Sequence, residues 1–269
     1  MPLTFLRPYL RPAPLAVFFL GVSSGFPLAL VLATLTYWLS KEGIDKSTVG
    51  LFALATLPYA IKFLWSPFID AGRLPVISTL GHRRSWLWLI QLALVGALFG
   101  LGFSEPSVHI ERTAIWVLVV AFLSASQDIV IDAYRIEILS DEELAYGSAT
   151  INFGYRTGLL LSGAGTILLS TKVGWPAAYT LTGLLVLPAA ITAMLMGEPD
   201  RPRPEPSGLQ RAVLEPFKAF LRIEGAILIL VFVAIYKVGD ALANTMISPL
   251  VVELGFSDED VVFANKVVG

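Results

Sequence analysis

The sequence predicts an all-α, polytopic membrane bundle, on three observations. Apolar residues make up 55% of the 269 positions and charged residues only 15%, where a soluble domain carries about a quarter. Uncharged segments long enough to approach a bilayer's thickness recur along the chain. The basic residues between them alternate in density, as the positive-inside rule requires of a multi-pass protein. The same composition excludes other classes. Net charge is −2 with no basic run, so no nucleic-acid partner is expected. The absence of cysteine removes disulfide frameworks and thiolate zinc sites. His82 and His109 lie far apart in loops, so neither a metal nor another cofactor is expected.

The first span is 12–40, too long for the apolar core of a signal peptide and read as uncleaved. The second, 47–61, runs straight into Lys62. The third is 85–104. The fourth begins as the apolar run 113–127, only ~22 Å of helix at 1.5 Å per residue, and must carry Asp128 into a ~30 Å core in order to cross it. The fifth is split by Arg156 into 144–155 and 157–171, each too short alone. The sixth, 173–197, is clear. A seventh spans 225–252 with Lys237 and Asp240 in its middle. With the N-terminus in the cytoplasm, Arg7, Arg11, Arg73, Arg83, Arg84, Arg201, Arg203, Arg211, Lys218 and Arg222 fall inside, and Lys41, Lys46, Arg112 and Lys172 outside.

This divides the chain into a six-helix bundle (1–197), a proline-rich cytoplasmic linker (198–223) and the start of a second bundle (224–269). WLSKEGIDKSTVGLFALA at 38–55 resembles LVVELGFSDEDVVFANKV at 250–267, a weak internal repeat. Two helical halves joined by a basic linker are the plan of a major-facilitator transporter. On that plan the chain ends within an eighth span, and about five further helices are expected.

An ionised side chain at a helix centre costs about 2.5–3.5 kcal/mol. Lys62, Asp128, Arg156, Lys237 and Asp240 must therefore face one another or a watery cavity. In SASQDIVIDAYRIEIL, Ser124, Asp128, Asp132 and Arg135 share one helix face, with Glu137 on the opposite side among headgroups. Asp128 is the deep carboxylate, able to load or release a proton as Lys62 or Arg156 moves. Asp132 is expected to lock onto Arg83 or Arg84 as a conformational latch, and Arg135 to join that latch or to snorkel. Arg156, one turn after Asn152, is placed to hold a carboxylate, either that of Asp128 or one on a substrate. Lys237 and Asp240, three apart, pair with each other or serve transport. Ser23 and Ser24 stand just before Pro27. They either satisfy the carbonyl that the proline frees, in a kinked cavity-lining helix, or allow close helix packing.

LGVSSGFPLAL, YAIKFLWSPFID, RRSWL, SASQDIVIDAYRIEIL, FGYRTGLLLSG and IYKVGDALA, in this order, resemble the AmpG-type muropeptide permeases of Gram-negative bacteria, over residues 18 to the end. Gln127-Asp128 followed by Asp132 is the most specific element, backed by Lys62-Phe-Leu-Trp-Ser-Pro67. The resemblance implies a major-facilitator fold in the bacterial inner membrane. It also implies proton-driven import of N-acetylglucosaminyl-1,6-anhydromuramyl peptides. The facilitator inner-loop pattern is loosened here. Ser66 holds a glycine position, Asp70 is kept, Ala71 replaces arginine, and Gly72 is separated from Gly81-His82-Arg83-Arg84. The Q-D-I-x-x-D element is shared with acetyl-CoA transporters, so it fixes the wider family rather than the cargo.

On this reading Asp128 and Asp240 carry the coupling proton. Ser23, Ser24, Lys62, Gln127, Asn152, Tyr155, Arg156 and Lys237 line the substrate cavity. Asp70, Arg83, Arg84, Asp132 and Arg135 form the latch. Another amphiphilic anion, such as acetyl-CoA or a siderophore, is the alternative cargo. A non-transporting membrane scaffold is the second alternative, though it gives little reason for ionisable groups at membrane depth. No G-x-S-x-G or H-E-x-x-H motif points to an enzyme.

Overall fold

The computed structural model describes residues 3–72, 74, 78–199 and 218–257, and these are helical with no strands. Among the described residues, five helical runs are long and apolar enough to cross a membrane. They are α1 (Pro12–Lys41), α2 (Lys46–Leu64), α3 (His82–Gly102), α4 (Ile110–Ile138) and a run over Leu144–Met196. The last is two spans. Gly174 takes φ 78° and ψ 165°, a left-handed turn that a Cβ would strain, and Pro176 follows it. We call its parts α5 (144–173) and α6 (175–196). A further helix, α7 (Ala226–Glu253), follows. Most of the expected linker, 200–217, lies outside the described residues, as do Arg73 and the eighth span from 258.

The contacts fix the relative direction of two helix pairs. Gly102 meets Pro176 while Gly81 meets Glu198, so α3 and α6 are antiparallel. α1 runs parallel to α5, with Gly21 on Ile151 and Thr34 on Ser162. The chain therefore passes back and forth, with residues 64–72, 78–83, 138–144 and 198 at one end of the bundle. Residues 41–46, 102–110 and 174 are at the other.

α1 is the central helix: 67% of its apolar stretch is buried inside the bundle, against 22% for α2. Two layers of core surround it. Phe26, Leu30, Leu35, Leu98, Val117 and Tyr179 fill one half, and Leu20, Leu87, Val130, Tyr134, Ala189 and Ala193 fill the other. In lipid, helices gain little from excluding water, so close van der Waals approach decides which pairs associate. α1 and α5 achieve it with glycine. Gly21 and Gly25 of α1 face Gly154 and Gly158 of α5, and a Cβ at any of the four would strike the opposing backbone. Both halves of this stripe, G-V-S-S-G and G-Y-R-T-G, are visible in the sequence.

Candidate functional site

The site begins with proline. Pro27 has no N–H, so the carbonyl of Ser23 lacks its helical donor. A buried carbonyl must find another. The sequence expectation gave that task to the serines, and the structure gives it to Gln127. The Gln127 amide nitrogen donates to the Ser23 carbonyl at 2.7 Å. Gln127 Oε1 accepts from Gln91 Nε2 at 3.0 Å, and Gln91 Oε1 accepts from the backbone N–H of Ala190 at 2.9 Å. The neighbouring N–H of Ala189 donates to Ser23 Oγ at 2.9 Å. These two N–H groups need partners because α6 is interrupted by a 3₁₀ turn, Leu184–Val186, and restarts at Pro188, leaving the first amides of the new helix without intrahelical acceptors. Ser23, Gln91 and Gln127 are each completely buried. Ser23 and Gln127 are thus placed inside the packed bundle, not on a cavity wall. Gln91 was missed, though an amide inside the uncharged run WLWLIQLALV was its signal.

One residue further along each helix, the chemistry changes. Ser24 Oγ donates to Asp128 Oδ1 at 2.6 Å. Lys62 Nζ stands 3.8 Å from Asp128 Oδ2 and 3.7 Å from Asp132 Oδ2. Exposure grades outward, with side-chain values of 16% for Asp128, 32% for Lys62 and 50% for Asp132. One ammonium therefore bridges a deep carboxylate and a shallow one. Tyr59 of α2 and Tyr155 of α5 bring their hydroxyls into the electrostatic reach of Asp128, and Tyr59 also lies against Ser124. Pro58 breaks α2 into short α and 3₁₀ segments around Lys62. Of the residues read as one polar face, Ser124, Asp128 and Asp132 are brought together, with Arg135 Nε 3.1 Å from Asp132 Oδ1.

The expected latch is corrected. Asp132 pairs with Lys62 and Arg135 rather than with Arg83 or Arg84. The nearly buried Arg83 donates to Asp70 at 2.5 Å and through Nε and Nη2 to Glu137 at 3.1 and 2.8 Å. Helical geometry explains the exchange. At 100° per residue, Asp132 lies about 140° around α4 from Gln127, which faces α3, and Glu137 only about 80°. Glu137 is therefore a partner of α3 and not a free headgroup residue. Arg84 contributes its backbone instead. The N–H groups of Arg83 and Arg84 donate to the Glu198 carboxylate at 3.0 and 3.3 Å, where it faces the positive end of α3, while Arg84 Nη2 lies 3.2 Å from Met194 Sδ. Asp70, Arg83, Glu137 and Glu198 thus tie together one end of the bundle.

The structure also separates residues that were expected to meet. Asn152 and Arg156 are exposed on the side of α5 away from its glycine stripe, and Asn152 Nδ2 donates to the Ser148 carbonyl of its own helix at 2.8 Å. Asp128 takes its cation from Lys62, not from Arg156. Lys237 is exposed on α7, and the side chain of Asp240 lies outside the described residues. α7 meets the first bundle at one end, through the Lys46–Glu253 ion pair, Met246 against Gly50, and Val251 and Val252 against the cluster of Tyr37, Ala164 and Ile167.

Comparison with known proteins bears on this geometry. The chain is 38% identical over 267 residues to the anhydromuropeptide permease of Escherichia coli K12, covering 98% of this chain and 54% of that protein. It is 34% identical over 260 residues to putative transporter AmpG 4 of Rickettsia felis, covering 94% and 63%. It is 31% identical over 269 residues to putative transporter AmpG 1 of Rickettsia conorii, covering 94% and 64%. The chain thus spans roughly half to two thirds of these relatives' length. The resemblance to AmpG-type permeases read from the motifs holds over nearly the whole chain. A family model described as acetyl-coenzyme A transporter 1 matches residues 15–173, more than half of the chain and a stretch that holds Ser24, Lys62 and Asp128. The chain belongs to that family of polytopic membrane transporters.

Proposed function

We propose that this chain supplies the first bundle of a proton-coupled importer of anhydromuropeptides, acting in the bacterial inner membrane with its N-terminus in the cytoplasm. Residues 1–197 are that bundle, 198–223 a cytoplasmic linker, and 224–269 the start of a second bundle. The observation that carries the reading is Asp128. It is held within an apolar helix by one hydroxyl and by an ammonium that it shares with the more exposed Asp132. A carboxylate in such a place is costly unless paired, so a proton and Lys62 are alternative ways to neutralise it. Protonation of Asp128 frees Lys62 to move wholly to Asp132. Deprotonation draws it back. That exchange links proton occupancy to the position of α2 against α4, a local change through which protons bias the rocking of one bundle against the other. Asn152, Tyr155 and Arg156 on α5 and Lys237 on α7 face the cargo, Arg156 meeting a peptide carboxylate. Asp240 is a second proton carrier, and Asp70, Arg83 and Glu137 hold the cytoplasmic end. The relatives named permeases support the cargo class.

The family match favours a second cargo, acetyl-CoA. Its several anionic groups want several free cations, whereas Lys62 is already shared between two carboxylates. The test is uptake of labelled anhydromuropeptide into proteoliposomes under an imposed pH gradient, with unlabelled acetyl-CoA as competitor. Accumulation driven by the gradient and lost in Asp128→Asn is expected. Accumulation that ignores the gradient, or survives that substitution, overturns the mechanism. Competition by acetyl-CoA alone transfers the reading to the other cargo.

A further inference from the structure

Ser23 and Ser24 are adjacent, as are Gln127 and Asp128, so the buried network and the proposed proton site share two peptide units. Ser23 and Gln127 are bonded to each other, and Ser24 and Asp128 are bonded to each other. The rotation of α4 about its axis and its height along α1 fix both contacts together. On the far side of Gln127 stands Gln91, whose amide spends its donor on Gln127 and its acceptor on Ala190. We propose that Gln91 is a positioning residue for Asp128: by orienting the Gln127 amide it sets the register of α4 on α1, and so keeps the Asp128 carboxylate within reach of Ser24.

The chemistry of an amide makes this assignment specific. Gln127 must present its nitrogen to the Ser23 carbonyl, because a carbonyl there would face another acceptor. Only a donor against Gln127 Oε1 fixes that orientation, and Gln91 Nε2 is that donor. Gln91 is in turn prevented from flipping because its own oxygen is held by the Ala190 N–H. The orientation is therefore transmitted from the broken start of α6 through α3 and α4 to α1. Gln91 touches neither Asp128 nor Lys62 and acts only through its neighbour. Other groups facing Asp128 come from different directions. They are Lys62 and Tyr59 from α2, Tyr155 from α5 and Asp132 one turn on, and none of them contacts Gln91 in this network.

The inference rests on Asp128 being a protonatable site, as in the proposed function, but it can be read without any cargo. Carbodiimide labels protonated carboxyl groups in apolar surroundings, so labelling of the purified protein against pH, with Asp128→Asn as background, reports that site directly. Gln91→Leu keeps the volume and removes both hydrogen bonds. We expect its labelling midpoint to be displaced by about half to one pH unit, the size of one lost hydrogen bond. Gln91→Glu, in its protonated form, keeps a donor for Gln127 and an acceptor for Ala190, and should show the wild-type midpoint once labelling of its own new carboxyl, read from Gln91→Glu/Asp128→Asn, is subtracted. A folded Gln91→Leu protein with the wild-type midpoint overturns the inference. Should that variant fail to fold, a Gln91→Glu protein whose midpoint, corrected with Gln91→Glu/Asp128→Asn, departs from wild type overturns it equally. A displaced midpoint in Gln91→Leu, when the wild-type protein takes up no muropeptide, sustains the positioning role and sinks the proposed cargo. Normal uptake with no displacement does the reverse.

Discussion

The Gln127 side-chain nitrogen lies 2.7 Å from the carbonyl oxygen of Ser23, the one carbonyl of α1 that Pro27 leaves without a helical donor. A helix break in one span is thus answered by a side chain from another. The bond is testable as a pair. Gln127→Leu should cost about 1–2 kcal/mol of stability, since a buried carbonyl loses its partner and hydrogen bonds between membrane helices are worth modest amounts. Pro27→Ala returns an N–H to Ser23, so the double substitution should cost less than the sum of the two. Thermal unfolding in detergent measures the cycle, and strict additivity would show the two sites to be uncoupled.

The glycine seam between α1 and α5 makes a second prediction. A Cβ at Gly154 would meet the Phe18 carbonyl and one at Gly158 the Val22 carbonyl. Gly154→Val and Gly158→Val should each abolish most of the folded protein seen by size-exclusion chromatography. Gly96 and Gly165 lie in the same kind of apolar helix with nothing near the added atom, and alanine there should leave the yield unchanged.

Lys62 answers to two carboxylates at once. Removing it in Lys62→Ala leaves Asp128 with only a hydroxyl, and the folded yield should fall several-fold. Adding Asp128→Asn removes the stranded charge and should recover most of that yield without restoring uptake. If the double variant expresses no better than the single one, the Lys62–Asp128 pairing does not matter to folding.

Arg83 is nearly buried and holds Glu137 with a two-nitrogen fork while also reaching Asp70. Lysine lacks that fork, so Arg83→Lys should lower the melting temperature almost as much as Arg83→Ala. The latter should cost about 3 kcal/mol because two carboxylates lose their cation. Glu137→Gln keeps one acceptor and should cost less. Near-normal melting of Arg83→Lys would show that charge alone suffices.

Asp45 caps the start of α2, accepting from the Thr48 N–H at 2.9 Å and from its hydroxyl. Those bonds hold its carboxyl below its ordinary value. Folded-state stabilisation of a carboxylate is present above the unfolded pKa and lost as pH falls through the lower folded one. The Asp45 contribution should therefore be constant from about pH 5 upward, begin to fall near pH 4, the ordinary carboxyl value, and vanish only below the lower folded value. Asp45→Asn should keep the cap and abolish that pH dependence, which melting curves across the range would reveal.

The sequence by itself determined the architecture. Segment lengths against bilayer thickness gave six spans and a seventh, and required Asp128 to lie within a helix because the apolar run before it is too short. The motifs from Ser23 to Arg156 led to the AmpG-type permeases. Facing and pairing were decided only by the tertiary structure. Helical periodicity places Asp132 and Glu137 on different faces of α4 but does not say which face meets α3, so Arg83 was assigned to the wrong carboxylate. Pro27 announces an orphaned carbonyl, but its donor lies more than a hundred residues away on α4. Arg156 at mid-span signals a polar surface without saying whether it turns toward Asp128 or away. A chain dictates its own helices through local hydrogen bonds and transfer energies, whereas the partner of a buried polar group is chosen by how several helices rotate and dock together.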